Sequence, residues 1–337
     1  MKKYVNTFLS LLLSLTMLFA MTSCEKTTNG DVYKVRISCD TVDDSTLTIY
    51  LNKFAAEAEK LSGGKLKFEI YTNGSLYKGV AGLEATQSGD LEMCLCALSN
   101  YGELSSKIFV LSLPFVFPTN EAVCDAYSGD FGKLAVEDIH NYNLELLSYF
   151  VFGGTDMSSN KQVKVPADVK GQKIRVFGLA NSSFVENCGG APTFMSGGEV
   201  TQALSTGLIN GALTSAESMV ERKYYEFQDY VCAIGFERAD QMVVMNNTWW
   251  QGLPEEIQGY ITEAMDSIRE EEWQAAMAKE EESRKALSEK GITVYYPTKD
   301  EMNLWYKAAD SVYDDFRETL GNELVDKAIA FRDSYSN

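Results

Sequence analysis

The sequence predicts an α/β protein of two domains, an arrangement that fits a cleft protein, and three observations carry the two-domain reading. From Val32 to Tyr71 the chain reads as strand, helix and strand. Without its leader it is roughly 310 residues long, more than one hydrophobic core usually fills. An apolar strand at Leu144–Phe152 leaves the opening unit, and MVVMNN, much later, returns to it.

The chain opens with Met1-Lys2-Lys3, an apolar run from Phe8 to Met21, and Thr22-Ser23-Cys24, after which it turns polar. A stable membrane-spanning helix needs about 20 apolar residues, so the shorter run is the core of a secretory signal peptide, residues 1–23. Small residues ahead of a cysteine fit a bacterial lipobox. Cys24 is then acylated and residues 24–31 form a flexible tether; the plain alternative is a signal peptide with a nearby cysteine. No later apolar run reaches membrane-spanning length, so the body is expected to be soluble, extracytoplasmic and held to a membrane only by its lipid anchor.

YKVRIS alternates as a strand, Cys39–Ser45 is a polar loop, and a helix follows over about Thr46–Leu61. Gly63-Gly64 closes that helix and Lys65–Tyr71 alternates as a second strand, giving a right-handed β-α-β unit with a parallel pair. After the YTNGSL loop comes a helix from about Gly79 to Ser88, ended by Gly89, and then the apolar strand MCLCAL. LSLPFVFP is an apolar connection whose Phe115 and Phe117 belong in the core, and the helix after it takes Thr119 or Asn120 as cap.

The second domain holds a strand at Lys173–Val176, helices near Ser182–Cys188 and Glu199–Ser205, and a strand around Gly211–Thr214. Past the return strand, Trp249-Trp250 and Leu253-Pro254-Glu255 lead into a helix with proline in its first turn. From Pro254 to about Lys290 the pattern is one very long helix, or two nearly joined. As one helix it measures about 50 Å at 1.5 Å per residue. GITVYYP is a further strand and Lys299–Ser334 carries one or two terminal helices. The expected domains are residues 32–152 with about 241–280, and residues 153–240 with about 281–337.

The formal net charge is −18, and losing Lys2 and Lys3 with the signal makes the body more acidic. Such a balance argues against nucleic acid and anionic lipid surfaces as partners. An anionic ligand stays possible, because distant carboxylates are screened within about 8 Å at physiological ionic strength. Cys39, Cys94, Cys96, Cys124, Cys188 and Cys232 permit disulfides in an exported protein without fixing any. Cys94 and Cys96 share one face of a strand, where a direct bridge is strained, and the set reads better as small buried apolar residues. The lone histidine, His140, lies in a polar segment and is expected on the surface; with no C-x-x-C spacing, no metal site is expected. There is no nucleophile elbow and no glycine-rich phosphate loop, so no catalytic residue and no cofactor are assigned.

One residue carries a chemical signal. Arg175 lies on the Lys173–Val176 strand, with Ile174 and Val176 facing a core and the arginine on the other face, among mostly uncharged neighbours. A guanidinium is always charged and its fork of donors matches a carboxylate through two parallel hydrogen bonds.

The run PADVKGQKIRV resembles the D-x-K-G-x-K-(I/L)-R-V strand of the substrate-binding proteins of tripartite ATP-independent periplasmic (TRAP) transporters, the DctP-like family, through Asp168, Lys170, Gly171, Lys173, Ile174, Arg175 and Val176. The resemblance continues in Glu199, Val200, Ala203, Leu204, Gly207, Ile209 and Gly211, and in Lys223, Tyr224, Tyr225 and Glu226. Upstream it includes Tyr71, Asn73, Gly74, Leu76, Glu84, Ala85, Gln87, Gly89 and Asp90, and the Leu113-Pro114-Phe115 run with Phe117. It implies a two-domain periplasmic-binding-protein fold with the long helix spanning both domains. It also implies a ligand role for Arg175 and TRAP membrane permease subunits as partners.

The departures from the family pattern run from large or charged to small and neutral. Counting without gaps puts Thr155 at a second family arginine, Gly197 or Gly198 at an aromatic position, and Thr214 at an asparagine; Thr201 replaces a tyrosine, and Tyr77 stands where the family usually has glycine. Asp40, Tyr77 and Glu217 complete the candidate set. One cation in place of two implies a monocarboxylate whose body is bulkier or more hydroxylated than a small dicarboxylate, with Thr155 and Thr214 donating hydrogen bonds. The expected protein is a monomeric solute receptor; the alternatives are a sensory lipoprotein of the same fold and a secreted hydrolase.

Overall fold

A computed structural model describes residues 32–104, 107–238 and 240–335; the signal peptide, Cys24 and the tether lie outside these residues. Alternation in β1 (Tyr33–Cys39) buries Val35 and Ile37. The amphipathic α1 (Thr46–Leu61) lays Leu47, Leu51, Phe54 and Ala58 inward, and β2 (Leu66–Tyr71) completes the opening unit. α2 (Val80–Ser88) stops at Gly89, whose φ of 87° a side chain would strain. β3 (Met93–Ala97) runs into two tight turns, Leu98–Leu104 and Lys107–Ser112. α3 (Asn120–Ser128) is capped by Thr119, whose hydroxyl accepts from Ala122 N at 3.1 Å, and α4 (Asp130–Ala135) precedes β4 (Leu144–Phe150).

The chain then enters the second sheet with β5 (Thr155–Ser159), β6 (Lys173–Val176), α5 (Leu179–Asn187), β7 (Ala191–Phe194) and α6 (Val200–Ser205). β8 (Gly211–Ser215), α7 (Ala216–Glu221) and β9 (Tyr230–Cys232) follow. β10 (Gln241–Asn246) returns to the first sheet, α8 (Asn247–Gln251) holds the tryptophan pair, and α9 (Glu255–Glu289) is one unbroken helix of 35 residues. Pro254 stands just before α9 rather than within its first turn. β11 (Thr293–Tyr295), α10 (Lys299–Asp315), α11 (Arg317–Leu320) and α12 (Asn322–Tyr335) end the chain. The terminal segment is therefore three helices, because Gly321 turns the chain at a φ of 83°.

The two domains are built on two sheets, ordered β2-β1-β3-β10-β4 and β11-β9-β5-β8-β6-β7. β10 lies antiparallel between β3 and β4 in the first sheet, so the chain must cross to the second domain and come back before that sheet is complete. α9 crosses again, packing on α1 and β4 early in its length and on α7 and β11 later. The short edge strand β7, which carries Pro192, was not expected; at an edge a missing N–H costs no ladder bond. Phe115 and Phe117 are in the core, Phe115 meeting Phe184, Phe236 and Tyr306 edge to face. The six cysteines are thiols, five of them buried, and Cys94 Sγ lies 3.6 Å from Cys96 Sγ. His140 is exposed and pairs with Glu145 at 2.8 Å. No helix of the described residues is long and apolar enough to cross a membrane.

Candidate functional site

A cavity of about 400 Å³ opens between the two sheets. The first domain contributes the end of β1 through Thr41, the loop from Tyr77 into α2, and the end of β3; the second contributes β6, the chain after β7, Thr214, and the end of α7. Strand register decides which side chains face it. Arg175 pairs with Ala212, and Asp156 with Thr214, so Arg175, Ala212, Thr214 and Asp156 share one face of the second sheet. Ile174, Leu213, Met157 and Thr155 share the other.

Arg175 is 6% exposed and its guanidinium is fixed by backbone. Nε donates to Met195 O at 3.1 Å and Nη1 to Leu213 O at 2.9 Å, while the planar group lies over the Phe177 ring at 4.8 Å. Nη2 has no hydrogen-bond partner among the described residues, and Arg175 lines the cavity. Burial pulls the Arg175 pKa down from its ordinary value, and Asp40 and Glu237 act in the opposite sense. The side chain is thus already held in one geometry, with an edge left over for an acceptor.

A second guanidinium lines the same cavity. Arg222 follows α7 directly, and its Nη2 donates to Asp40 O at 2.8 Å; Lys223 after it adopts a left-handed φ of 56°. A Cβ placed on Gly197 would meet Arg222 Nη2, Cζ and Nε at 3.5 to 3.7 Å. The Arg222 guanidinium, from another element, therefore lies in van der Waals reach of the Gly197 side-chain position. Lys78 also lines the cavity. This corrects the expectation of a single cation, and with it goes the premise for a ligand with a single acid group.

Asp40 and Tyr77 line the cavity. Asp40 Oδ2 accepts from Gly79 N at 2.8 Å, and burial raises its pKa while that bond and then Arg222, Arg175 and Lys78 oppose the rise. The Ser38 hydroxyl bridges Tyr77 N and O at 3.3 and 3.2 Å, which fixes the start of the loop. Thr214 is 9% exposed and faces the cavity beside Arg175. Gly197 lines it too.

Two candidates lie elsewhere. Thr155 is fully buried on the opposite face of the sheet, and its hydroxyl has no partner among the described residues. A one-residue step along a strand changes the face, and that step is what a count without register cannot see. Glu217 is also buried away from the cavity: its Oε1 accepts from Thr46 N at 2.9 Å and Thr46 Oγ1 at 2.8 Å. It serves the start of α1 instead of a ligand. Arg222 escaped the sequence reading because Glu221-Arg222-Lys223 looks like a solvated charged run; its position beside the Lys223-Tyr224-Tyr225-Glu226 match was the available signal.

Residues 38–319 match the family described as bacterial extracellular solute-binding protein, family 7 (DctP). The chain is similar to the C4-dicarboxylate-binding protein DctB of Bacillus subtilis, at 29% identity over 83% of this chain and 81% of that one. Its fold resembles a TRAP periplasmic solute-binding protein from Sulfurospirillum deleyianum with bound succinate, with a TM-score of 0.84 and 22% identity, covering 89% of this chain and 99% of that one. A second such protein, from Roseobacter denitrificans with bound β-D-glucuronate, superposes with a TM-score of 0.84 at 23% identity over 88% and 99% of the two chains.

Proposed function

Because this chain belongs to family 7 of the bacterial extracellular solute-binding proteins, the DctP family, we propose that it is the receptor of a TRAP-type transporter that holds an organic acid against Arg175. The observation that carries the reading is the fixed guanidinium. Two backbone carbonyls and an aromatic face hold Arg175 in place, and its Nη2, without a hydrogen-bond partner among the described residues, is left to donate to a carboxylate in the cavity that the residue lines. Organic acids bound by relatives of the same fold, succinate and β-D-glucuronate, support the ligand class.

The domain boundaries follow the sheets, with residues 32–152 and about 241–280 forming one domain and 153–240 with about 281–337 the other. Membership of β10 in the first sheet and β11 in the second supports this division. Closure of the two domains around the ligand removes water from the Arg175 contact and strengthens it. The closed form is then presented to membrane permease subunits, with the protein tethered as a monomer through Cys24.

Calorimetric titration of the purified protein with a panel of organic acids, repeated with Arg175→Ala, tests this. The expected result is loss of measurable binding for every acid that binds the parent. Unchanged affinity in the variant, or binding only of uncharged sugars, rejects the proposal.

A further inference from the structure

The cavity that offers Arg175 to an acid also contains a carboxylate. Asp40 follows β1 and lies among cations of the lining: Arg175 of β6, Arg222 after α7 and Lys78 of the loop into α2. None of these hydrogen-bonds the Asp40 carboxylate, whose Oδ2 accepts from Gly79 N at 2.8 Å; Arg222 is bonded to the backbone oxygen of Asp40 instead. Oδ1 is packed against Gly74, where an added Cβ would come within 2.7 Å of it, so backbone sets the position of the group on both sides. The cations therefore act on Asp40 through space. Burial raises its pKa, and the Gly79 bond, Arg222, Arg175 and Lys78 restrain the rise.

An acid seated on Arg175 changes that balance twice. Its negative charge repels Asp40 across the cavity, and it neutralises the positive charge that Arg175 lends to Asp40; exclusion of water as the domains close strengthens both effects. We infer that Asp40 is the proton-linked group of the cavity, taking up a proton when an acid binds, so that the protein holds its ligand more tightly in mildly acid than in neutral surroundings. The inference rests on the reading of Arg175 as the anchor. The other titratable groups around Asp40 keep one state in mild acid. Ser196 Oγ and N hold the Glu199 carboxyl below its ordinary value. The Cys94 contact and burial push the Cys96 thiol up, and burial does the same to the Cys39 thiol and the Tyr224 phenol. Tyr77 also borders the cavity, while Asp43, in the loop that begins at Asp40, accepts from Thr72 Oγ1 at 2.6 Å outside it. Glu237, which Arg175 also influences, does not line the cavity and is already protonated in acid, since burial pushes it up to about 8. A complex that binds more protons than the free protein is favoured by added protons. The logarithm of the affinity then falls as the pH rises between the two Asp40 values, by at most one per pH unit.

The test uses D-glucuronate and D-galacturonate, whose carboxylates stay ionised above about pH 5 and so take up no proton themselves. Titration calorimetry of the purified protein in buffers of different ionisation enthalpy counts the protons taken up per acid bound, from the slope of the observed heat against the heat of the buffer. The parent should take up a fraction of a proton between about pH 5 and pH 6.5, and should bind roughly 3- to 10-fold more tightly at pH 5 than at pH 7, as a rise of about one pKa unit gives. Asp40→Asn keeps an acceptor for Gly79 N, and an unchanged melting temperature establishes that it folds. Its binding should take up no proton, and its affinities at the two pH values should agree within about twofold. The proton count of the parent is read independently of the variant. No buffer dependence in the parent, proton uptake that Asp40→Asn retains, or loss of all binding in a folded Asp40→Asn overturns the inference. Binding that is lost in Arg175→Ala but independent of pH in the parent overturns this inference alone. Binding retained in Arg175→Ala overturns the receptor site from which it starts, and no binding of either acid to the parent overturns both.

Discussion

Glu217 Oε1, in the first turn of α7, accepts from both the backbone N and the hydroxyl of Thr46, the first residue of α1. Ser45 precedes that helix without making a side-chain cap, so a carboxylate from a distant segment satisfies the donors at the helix start and meets its positive end. Both residues are buried, and the contact joins an element beside the first sheet to one beside the second. Glu217→Ala should cost about 1–3 kcal/mol of stability, the range for leaving buried donors unsatisfied. Chemical denaturation read by tryptophan fluorescence checks this. Because Glu217 lies outside the cavity, ligand affinity measured on the folded variant should stay within about threefold of the parent, a shift of under 1 kcal/mol.

Stability should fall as the pH rises from acid toward mild base. Burial pushes the Glu237 carboxyl up to about 8, with Asn181 Nδ2 donating to one oxygen at 3.0 Å and the other oxygen unsatisfied. Burial raises Glu272 and Glu221 as well. A carboxyl whose pKa is raised on folding binds more protons in the native state. Its stabilising contribution is complete below the unfolded value near 4.5 and is lost as the pH climbs through about 8. Self-repulsion in a chain of net charge −18 acts in the same direction. Melting temperatures at fixed ionic strength should be higher at pH 5.5 than at pH 8.5, and Glu237→Gln should flatten part of that slope. A parent that melts higher at the basic end contradicts the assignment.

The long helix is tied to the second sheet by a buried bidentate pair, Arg284 Nε to Asp156 Oδ2 at 2.8 Å and Nη2 to Asp156 Oδ1 at 3.0 Å. Asp156 is fully buried and Arg284 nearly so. Removing one partner strands the other charge in a poorly solvated place, which typically costs 3–5 kcal/mol, whereas replacing both by apolar groups of similar volume is often near neutral. Arg284→Met alone should therefore lower stability by about 3–5 kcal/mol, and the double variant Asp156→Leu with Arg284→Met should recover most of it. Denaturant titration of the parent, the single and the double variant decides this; a double variant no more stable than Arg284→Met would show that the stranded Asp156 charge is not the source of the loss.

What the sequence made legible follows physical range. Alternation in YKVRIS, the Gly63-Gly64 stop and the uninterrupted pattern of α9 are local signals, and β1, α1 and the 35-residue helix appear where those signals are. Arg175 was legible because a four-residue strand fixes which face it takes. Thr155 was not, since its role depended on register against β8, and register is set by pairing partners more than 50 residues away. Arg222 was hidden for a related reason: it reaches the cavity from the end of α7 by a bond to Asp40 O, a partner 182 residues away in the chain. Gly197 looked like empty space on the chain, and in three dimensions that same arginine borders it.

Arg175→Lys separates geometry from charge at the proposed anchor. Lysine keeps the positive charge, but its single ammonium cannot donate to Met195 O and Leu213 O while also offering two parallel donors to a carboxylate. It also gives up the planar stacking on Phe177. If charge alone attracted the ligand, the variant would bind nearly as well as the parent. With a guanidinium fixed by two carbonyls, the expected loss is about 2–5 kcal/mol, and it should appear mainly as a faster off-rate because the long-range field is unchanged. Stopped-flow measurement of ligand release, using the change in intrinsic tryptophan fluorescence on binding, gives the answer. A variant whose off-rate stays within about threefold of the parent would mean that Arg175 acts only through its field.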